Sequence, residues 1–109
     1  MNLVRGDVWW VDLEPTRGSE INKRRPCVIV SADPLNQRRR TVVVIPLSTS
    51  PVAHPPLTIA VNVGGRTAVA VLDQIRATAK ERFANRMGAL SPAEMEMLEE
   101  NLRGILGLC

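Results

Sequence analysis

The sequence has few of the residues from which disulfide scaffolds and metal sites are built. Its 109 residues include 2 cysteines and 1 histidine. These are too few for a disulfide framework, and they have no recognisable zinc-ligand spacing. Cys27 stands inside an apolar run, which predicts a buried small hydrophobe, whereas Cys109 is the last residue of the sequence. We therefore expect no metal, no cofactor and no nucleophilic pair of Cys27 with His54.

Aromatic residues and long apolar runs are also scarce. The aromatic residues are 2 tryptophans and 1 phenylalanine, which excludes an extensive surface for base stacking. Trp9 and Trp10 are adjacent, so on a strand they face opposite ways, and one of them is expected in the core. No apolar stretch reaches the ~18 residues of a membrane span. The first residues lack an export pattern, so we expect a cytoplasmic protein with no membrane association.

Charge is distributed unevenly along the chain. Of 14 basic and 11 acidic side chains, residues 91–109 hold one arginine and four glutamates, which leaves 13 basic and 7 acidic ones in the first 90 residues. A basic body next to an acidic terminal segment favours a polyanionic partner, such as a nucleic acid or an acidic protein segment.

The patterning predicts one small, mainly β domain over residues 1–109. Five β-branched or apolar runs are predicted strands: Val8–Leu13, Cys27–Ser31, Thr41–Leu47, Leu57–Val61 and Ala68–Leu72. Gly64 and Gly65 indicate a hairpin turn. Thr78–Glu81 has the spacing of a capping box, which predicts a short helical turn. Ser91–Glu94 predicts the start of a C-terminal helix with proline in its first turn.

The segment from Gly18 to Pro26 is the most unusual part of the sequence. It is polar, and it carries three consecutive cations that run directly into a predicted strand. Because Arg25 precedes Pro26, its backbone is restricted to extended conformations. A guanidinium fixed in that way fits a bidentate phosphate contact, although a solvated loop would explain the same composition.

Four blocks of the sequence resemble the MazF/PemK toxin endoribonucleases. They are Arg5–Glu20, Arg25–Ser31, Val44–Ser48 and Leu72–Arg76, and they occur in order across the whole chain. The resemblance implies an SH3-like small β-barrel of the CcdB/PemK type with a C-terminal helix, and it implies a homodimer. It also implies metal-independent cleavage of single-stranded RNA at short motifs, which leaves 2′,3′-cyclic phosphate and 5′-OH ends.

The resemblance carries site residues over to positions of this sequence. It implies that Arg25, Ser48 and Glu20 are catalytic, with Thr49 as the alternative to Ser48, because many family members have a threonine there. The residues that it implies for RNA binding are Arg17, Ser19, Lys23, Arg24, Asp73 and Gln74.

Each implied catalytic residue has a chemical role that suits it. Arg25 stays protonated, so it fits the stabilisation of a dianionic phosphorane rather than general-base catalysis. Ser48 can donate a hydrogen bond to the same oxygens. Glu20 is a candidate general base, and it is equally explained as an ion-pair partner of Lys23 or Arg24. No residue is assigned as the general acid, although His54 is a candidate.

Two further polar features admit a structural and an RNA-directed interpretation. Asp73 either contacts a base or forms an ion pair with Arg76 or a turn cap. Arg38–Arg40 is interpreted first as a solvated turn and second as a source of nonspecific attraction for RNA.

The resemblance also implies partners and leaves an alternative function open. The implied antitoxin has an acidic, disordered C-terminal segment that lies across the RNA groove, and operator DNA is bound only by the toxin–antitoxin complex. The alternative is a non-catalytic module on the same fold, either a gyrase poison of the CcdB type or a degenerate toxin.

Overall fold

The described part of the chain forms one bent sheet with a C-terminal helix. The computed structural model describes residues 1–13, 24–49 and 52–108. The strands are β1 Asp7–Asp12, β2 Arg24–Ile29, β3 Thr41–Ser48, β4 Thr58–Val63, β5 Arg66–Val71, β6 Arg76–Ala79 and β7 Phe83–Ala89. The helices are α1 Asp33–Arg38 and α2 Pro92–Ile105, and short 3₁₀ turns span Leu72–Gln74 and Lys80–Arg82. None of the described helices is long and apolar enough to cross a membrane.

Strand β3 is the element at which the sheet bends, because it changes its pairing partner along one edge. The strand order is β4-β5-β3-β2-β1-β7, and β6 pairs with β3 outside that path. On one edge β3 pairs with β2 through Val44–Pro46. On its other edge it pairs first with β6 through Thr41–Val44 and then with β5 through Leu47–Ser48. This change of partner bends the sheet into a half-barrel, as the mainly β prediction anticipated.

Two apolar clusters lie on the two faces of the sheet. The helix-side cluster includes Ile45 and Leu47 of β3 together with Met95 and Leu98 of α2. The tryptophan-side cluster comprises Leu3, Trp9, Val11, Cys27, Ile29, Val42, Val44 and Phe83. The apolar side chains of β3 therefore alternate between the two clusters, so the unbroken apolar run of this strand is buried on both faces, as predicted.

The two adjacent tryptophans divide between core and surface, which confirms that prediction. Trp9 is buried in the tryptophan-side cluster, where its ring meets Phe83 edge-on at a centroid distance of 6.1 Å and an angle of 73°. Trp10 is half-buried.

Helix α2 begins as its sequence predicts. The Ser91 hydroxyl accepts from the Glu94 N–H at 3.2 Å, and Glu94 Oε1 accepts from the Ser91 N–H at 2.9 Å. Glu94 Oε2 also accepts from the Asn62 N–H at 2.7 Å. Burial alone would raise the pKa of Glu94, but these backbone hydrogen bonds outweigh it and lower the pKa. Glu94 therefore fixes the start of α2 to strand β4.

The Gly64–Gly65 hairpin is confirmed, and the short helical turn predicted from Thr78–Glu81 is present at Lys80–Arg82, without the predicted Thr78 cap. Gly64 and Gly65 have φ values of 57° and 82° and close the hairpin from β4 to β5. Thr78 lies in β6, where its hydroxyl is buried without a hydrogen-bond partner. The turn begins two residues later, after Ala79. Pairing of Thr78 with Val42 of β3 overrides the local capping pattern.

Helix α1 and strand β7 were not among the predicted elements, since neither has an apolar period. Phe83 is the buried residue of β7, and Asn36 is the buried residue of α1. The Asn36 amide donates to the Ser31 carbonyl at 2.9 Å, and the Ser31 hydroxyl accepts from the Val43 N–H at 3.0 Å. Polar contacts rather than an apolar face thus attach α1 to β3, and α1 ends at Arg38 of the predicted Arg38–Arg40 turn.

Strand β2 begins earlier than predicted. It runs from Arg24, with Pro26 as its third residue, rather than starting at Cys27. Pro26 pairs with Trp10 of β1, whereas the ladder with β3 begins only at Cys27. A proline is tolerated here because the stretch before Cys27 is paired on one side within the described sheet.

Candidate active site around strand β3

The pairing of β3 is interrupted on both edges near Pro46. The ladder with β2 ends at the pair Cys27–Pro46. On the opposite edge, the ladder with β6 ends at Val44 and the ladder with β5 starts at Leu47. Of the residues assigned to catalysis and base contact, Arg25, Ser48, Asp73 and Gln74 lie around this interruption.

Arg25 and Ser48 lie on the same face of the sheet, that of the tryptophan-side cluster. Side chains on a strand alternate between faces, and opposed residues of antiparallel strands share a face. Arg25 is two residues before Cys27, and Ser48 is two residues after its partner Pro46. Both side chains therefore lie on the face of Cys27, and both residues are half-buried. Thr49, the alternative hydroxyl, follows the end of β3 and is exposed.

Arg24 does not join Arg25 on this face. It alternates with Arg25 along β2 and lies opposite Asp12 of β1. Its Nε contacts Asp12 Oδ1 at 3.0 Å. That hydrogen bond is the main reason why the pKa of the Asp12 carboxyl lies below its usual value. Arg24 therefore has a carboxylate partner on the other side of the strand.

Asp73 and Gln74 lie on the connection that runs past the interruption of β3. They belong to the 3₁₀ turn that connects β5 to β6, and both are exposed, while Leu72 before them is buried. The structure shows neither of the structural roles considered for Asp73: no ion pair with Arg76 forms, and the turn has no side-chain cap. Both polar groups therefore face solvent beside the site.

Arg76 is a further candidate residue, and the sequence analysis assigned it no RNA-directed role. It pairs with Val44 of β3, so its side chain lies on the face of Cys27 and Arg25. Burial raises the pKa of the Cys27 thiol to about 12, and the positive charges of Arg76 and Arg25 partly oppose that rise. Both guanidinium groups therefore act on the same buried sulfur. The only sequence indication was its position two residues after Gln74, at the end of the fourth family-like block.

Several assigned residues cannot be located in this arrangement. Arg17, Ser19, Glu20 and Lys23 lie outside the described residues. His54 is exposed, and its backbone N–H donates to Thr58 Oγ1 at 2.6 Å. Within residues 1–13, 24–49 and 52–108, no three His, Cys, Asp or Glu side chains are grouped as a metal site requires.

Comparison with known proteins identifies the family. Residues 4–106 match the family described as PemK-like, MazF-like toxin of type II toxin–antitoxin systems. The chain belongs to this family. It is 36% identical to endoribonuclease MazF9 of Mycobacterium tuberculosis, over 93% of this chain and 93% of that protein. It is 29% identical to the endoribonuclease toxin MazF of Escherichia coli K12, over 94% of this chain and 92% of that protein.

Solved structures of PemK/MazF toxins share the fold. A mycobacterial endoribonuclease in complex with its cognate antitoxin superimposes with a TM-score of 0.82 at 26% identity, over 97% of this chain and 96% of that one. MazF of Deinococcus radiodurans superimposes with a TM-score of 0.80 at 20% identity, over 95% of this chain and 96% of that one. The predicted CcdB/PemK-like barrel with a C-terminal helix is confirmed.

Proposed function

We propose that this toxin is a sequence-specific, metal-independent endoribonuclease that cleaves single-stranded RNA. The observation that carries the proposal is the placement of Arg25 and Ser48 on one face of two strands that have stopped pairing. Within the described part of the chain, the Arg25 guanidinium has no carboxylate or hydrogen-bond partner. The relatives named endoribonuclease support the same activity.

The reaction is an internal transfer at one phosphodiester. The ribose 2′-oxygen attacks the adjacent phosphorus and loses its proton to a base, and a dianionic phosphorane forms. The bond from phosphorus to the 5′-oxygen then breaks, and the departing oxygen takes up a proton. The products are a 2′,3′-cyclic phosphate and a 5′-OH end, so no water is consumed in this step.

Arg25 and Ser48 stabilise the phosphorane in this mechanism. The planar fork of Arg25 matches two non-bridging phosphate oxygens, and its permanent charge offsets the charge that develops on them. The Ser48 hydroxyl donates to the same oxygens from the neighbouring strand. Fixed donors of this kind each contribute on the order of 100-fold or more to the rate.

Glu20 is the proposed base for the 2′-OH. It is the carboxylate nearest in sequence to Arg25, and it belongs to the loop Gly18–Pro26. An ion pair with Lys23 or Arg24 is the competing role, and for Arg24 the described partner is Asp12. The same loop supplies Arg17, Ser19 and Lys23 as proposed RNA contacts.

Asp73 and Gln74 are the proposed base-reading residues. Their side chains are exposed at the interruption of β3, and they make no hydrogen bond with another described residue. A glutamine amide offers a donor and an acceptor to the edge of an unstacked base, and a carboxylate accepts from an amino group.

The proposed partners follow from charge and from the family. The basic first 90 residues favour rapid association with an acidic, disordered antitoxin segment that folds across the RNA groove. A mycobacterial relative was solved in complex with its cognate antitoxin. We further propose that this toxin is a cytoplasmic homodimer and that operator DNA is bound only by the toxin–antitoxin complex.

The decisive test is the chemistry of the RNA ends. Purified, antitoxin-free protein is incubated in EDTA with a long single-stranded RNA, and cut sites and end groups are mapped. We expect cuts at one short motif with cyclic-phosphate and 5′-OH ends. RNA that stays intact across many sequences would refute the proposal, and an accompanying inhibition of gyrase would indicate a poison of the CcdB type.

A further inference from the structure

Several other arginines of the described chain have carboxylate partners. Arg5 meets Glu99 at 2.6 Å, and Arg86 meets Asp7 at 3.2 Å. Arg76 differs from them. It is half-buried on the face of the tryptophan-side cluster, and among the described residues its side chain has no hydrogen bond or ion pair. Arg25 is likewise half-buried, and its side chain has no hydrogen bond or ion pair with a described residue.

Two half-buried cations on one face, with no anionic partner among the described residues, favour the binding of an anion. Partial burial removes part of their hydration, and like charges repel, so neither cost is offset by a protein anion in the described region. A bound anion would offset both costs. The buried Cys27 lies within the field of both guanidinium groups, so the two charges act on one region of the surface.

The separation of the two positions favours two phosphates rather than one. Arg76 is opposite Val44 of β3, and Val44 is opposite Ile29 of β2, four residues from Arg25. At ~3.3 Å per residue and ~4.8 Å per strand spacing, the two backbones lie about 13 Å apart along the strands and about 10 Å apart across them. Positions at that separation suit two phosphates of one strand better than a single shared phosphate.

We propose that Arg76 is a second phosphate-binding arginine, which holds an RNA phosphate next to the one held by Arg25. This inference rests on the proposed function, and it assigns to Arg76 a substrate-binding role distinct from the transition-state role of Arg25. Loss of Arg76 therefore weakens ground state and transition state equally, which raises KM and leaves kcat unchanged.

The test uses an all-deoxy version of the cleaved strand, which lacks the attacking 2′-OH and is therefore bound without being cut. Each phosphate contact on a single strand contributes about 0.7 to the slope of log K against log salt concentration. We expect Arg76→Gln to reduce the slope by about 0.7 and to weaken binding about tenfold at low salt. Arg76→Lys keeps the charge and should keep the slope.

Arg66→Gln is the matched control. Arg66 is exposed at the β4–β5 hairpin and pairs with Val63, which belongs to the helix-side cluster. The substitution therefore removes the same charge from the other face of the sheet. We expect it to leave the slope unchanged. If Arg76→Gln fails to fold, Arg76→Met keeps the aliphatic stem and takes its place.

Cleavage of the all-ribose strand completes the test. Arg76→Gln should raise KM about tenfold and change kcat less than about twofold. An unchanged slope, an equal loss of slope in Arg66→Gln, or a fall in kcat at constant KM would each overturn the role of Arg76. Wild-type protein that binds the deoxy strand but leaves RNA intact would instead refute the proposed function, and the slope would still test Arg76.

Discussion

Arg25 and Ser48 occupy opposed positions of β2 and β3, two residues beyond the last pair that the two strands form, Cys27 with Pro46. Prolines at positions 26 and 46 lack the N–H that a continued ladder requires. The guanidinium of Arg25 and the hydroxyl of Ser48 therefore lie on one face, with no ladder of backbone hydrogen bonds between the two strands at that point. Such a gap gives an extended phosphodiester access to both groups.

Ser48, rather than Thr49, should supply the catalytic hydroxyl. Ser48 is half-buried on the face of Arg25, whereas Thr49 is exposed beyond the end of the strand. We expect Ser48→Ala to slow single-turnover cleavage by on the order of 100-fold or more. Thr49→Ala should slow it by less than about threefold, within the range of an ordinary surface substitution.

The conservative variant Ser48→Thr separates chemistry from packing. It keeps a hydroxyl at this position, and we expect it to retain most of the wild-type rate, in contrast to Ser48→Ala. A larger loss in Thr49→Ala than in Ser48→Ala would reverse the assignment, and equal rates in all variants would remove both hydroxyls from the mechanism.

The Cys27 thiol should be unreactive in the native protein. Burial raises its pKa to about 12, so it remains a thiol at neutral pH, and only thiolate reacts rapidly with alkylating agents. We expect iodoacetamide at pH 8 to modify a Cys109→Ser protein at a rate set by unfolding. The measurement is mass-spectrometric labelling with and without urea; rapid labelling of the native protein would show that Cys27 is accessible.

Glu94 should stabilise the protein in a pH-dependent way. Its folded-state pKa is lowered, so its contribution is present above the unfolded value of ~4.3 and is lost as the pH falls through the folded value. We expect Glu94→Ala to cost about 1–2 kcal/mol at neutral pH, from the lost capping box and the lost bond to Asn62. The difference from wild type should be smaller at acidic pH than at neutral pH, because it declines as the Glu94 carboxylate takes up a proton.

Glu96 provides the control for this effect. It is exposed on the same helix, and among the described residues its side chain has no partner. Urea unfolding of Glu96→Ala should match wild type within about 0.5 kcal/mol at both pH values. A cost for Glu94→Ala that is the same at both pH values would show that the carboxylate charge has no part in it.

The elements that the sequence predicted are those in which local chemistry and tertiary structure agree. Ser91 and Glu94 supply a complete capping box, and Gly64 and Gly65 supply the positive φ values of a tight hairpin. Thr78 shows the opposite case, because the same cap spacing is overridden by its pairing with Val42. Strand β7 carries a single buried residue, Phe83, and therefore has no pattern to read.

The candidate site was only partly predictable for a related reason. Sequence similarity supplied Arg25, Ser48, Asp73 and Gln74, but local patterns do not show which of them share a face. The register between β2 and β3 places Arg25 with Ser48. The register between β3 and β6 adds Arg76, which is distant from Arg25 in sequence and joins it only through the folded sheet.

The most direct test of the account is single-turnover cleavage of the mapped RNA by wild-type protein and by Arg25→Gln, with Arg66→Gln as the charge-matched control. We predict that Arg25→Gln lowers the rate at saturating RNA by 100-fold or more, on the order expected for a lost transition-state donor, while its thermal unfolding midpoint stays close to that of wild type. Arg66→Gln should cleave at the wild-type rate. Wild-type cleavage by a folded Arg25→Gln protein would contradict the account.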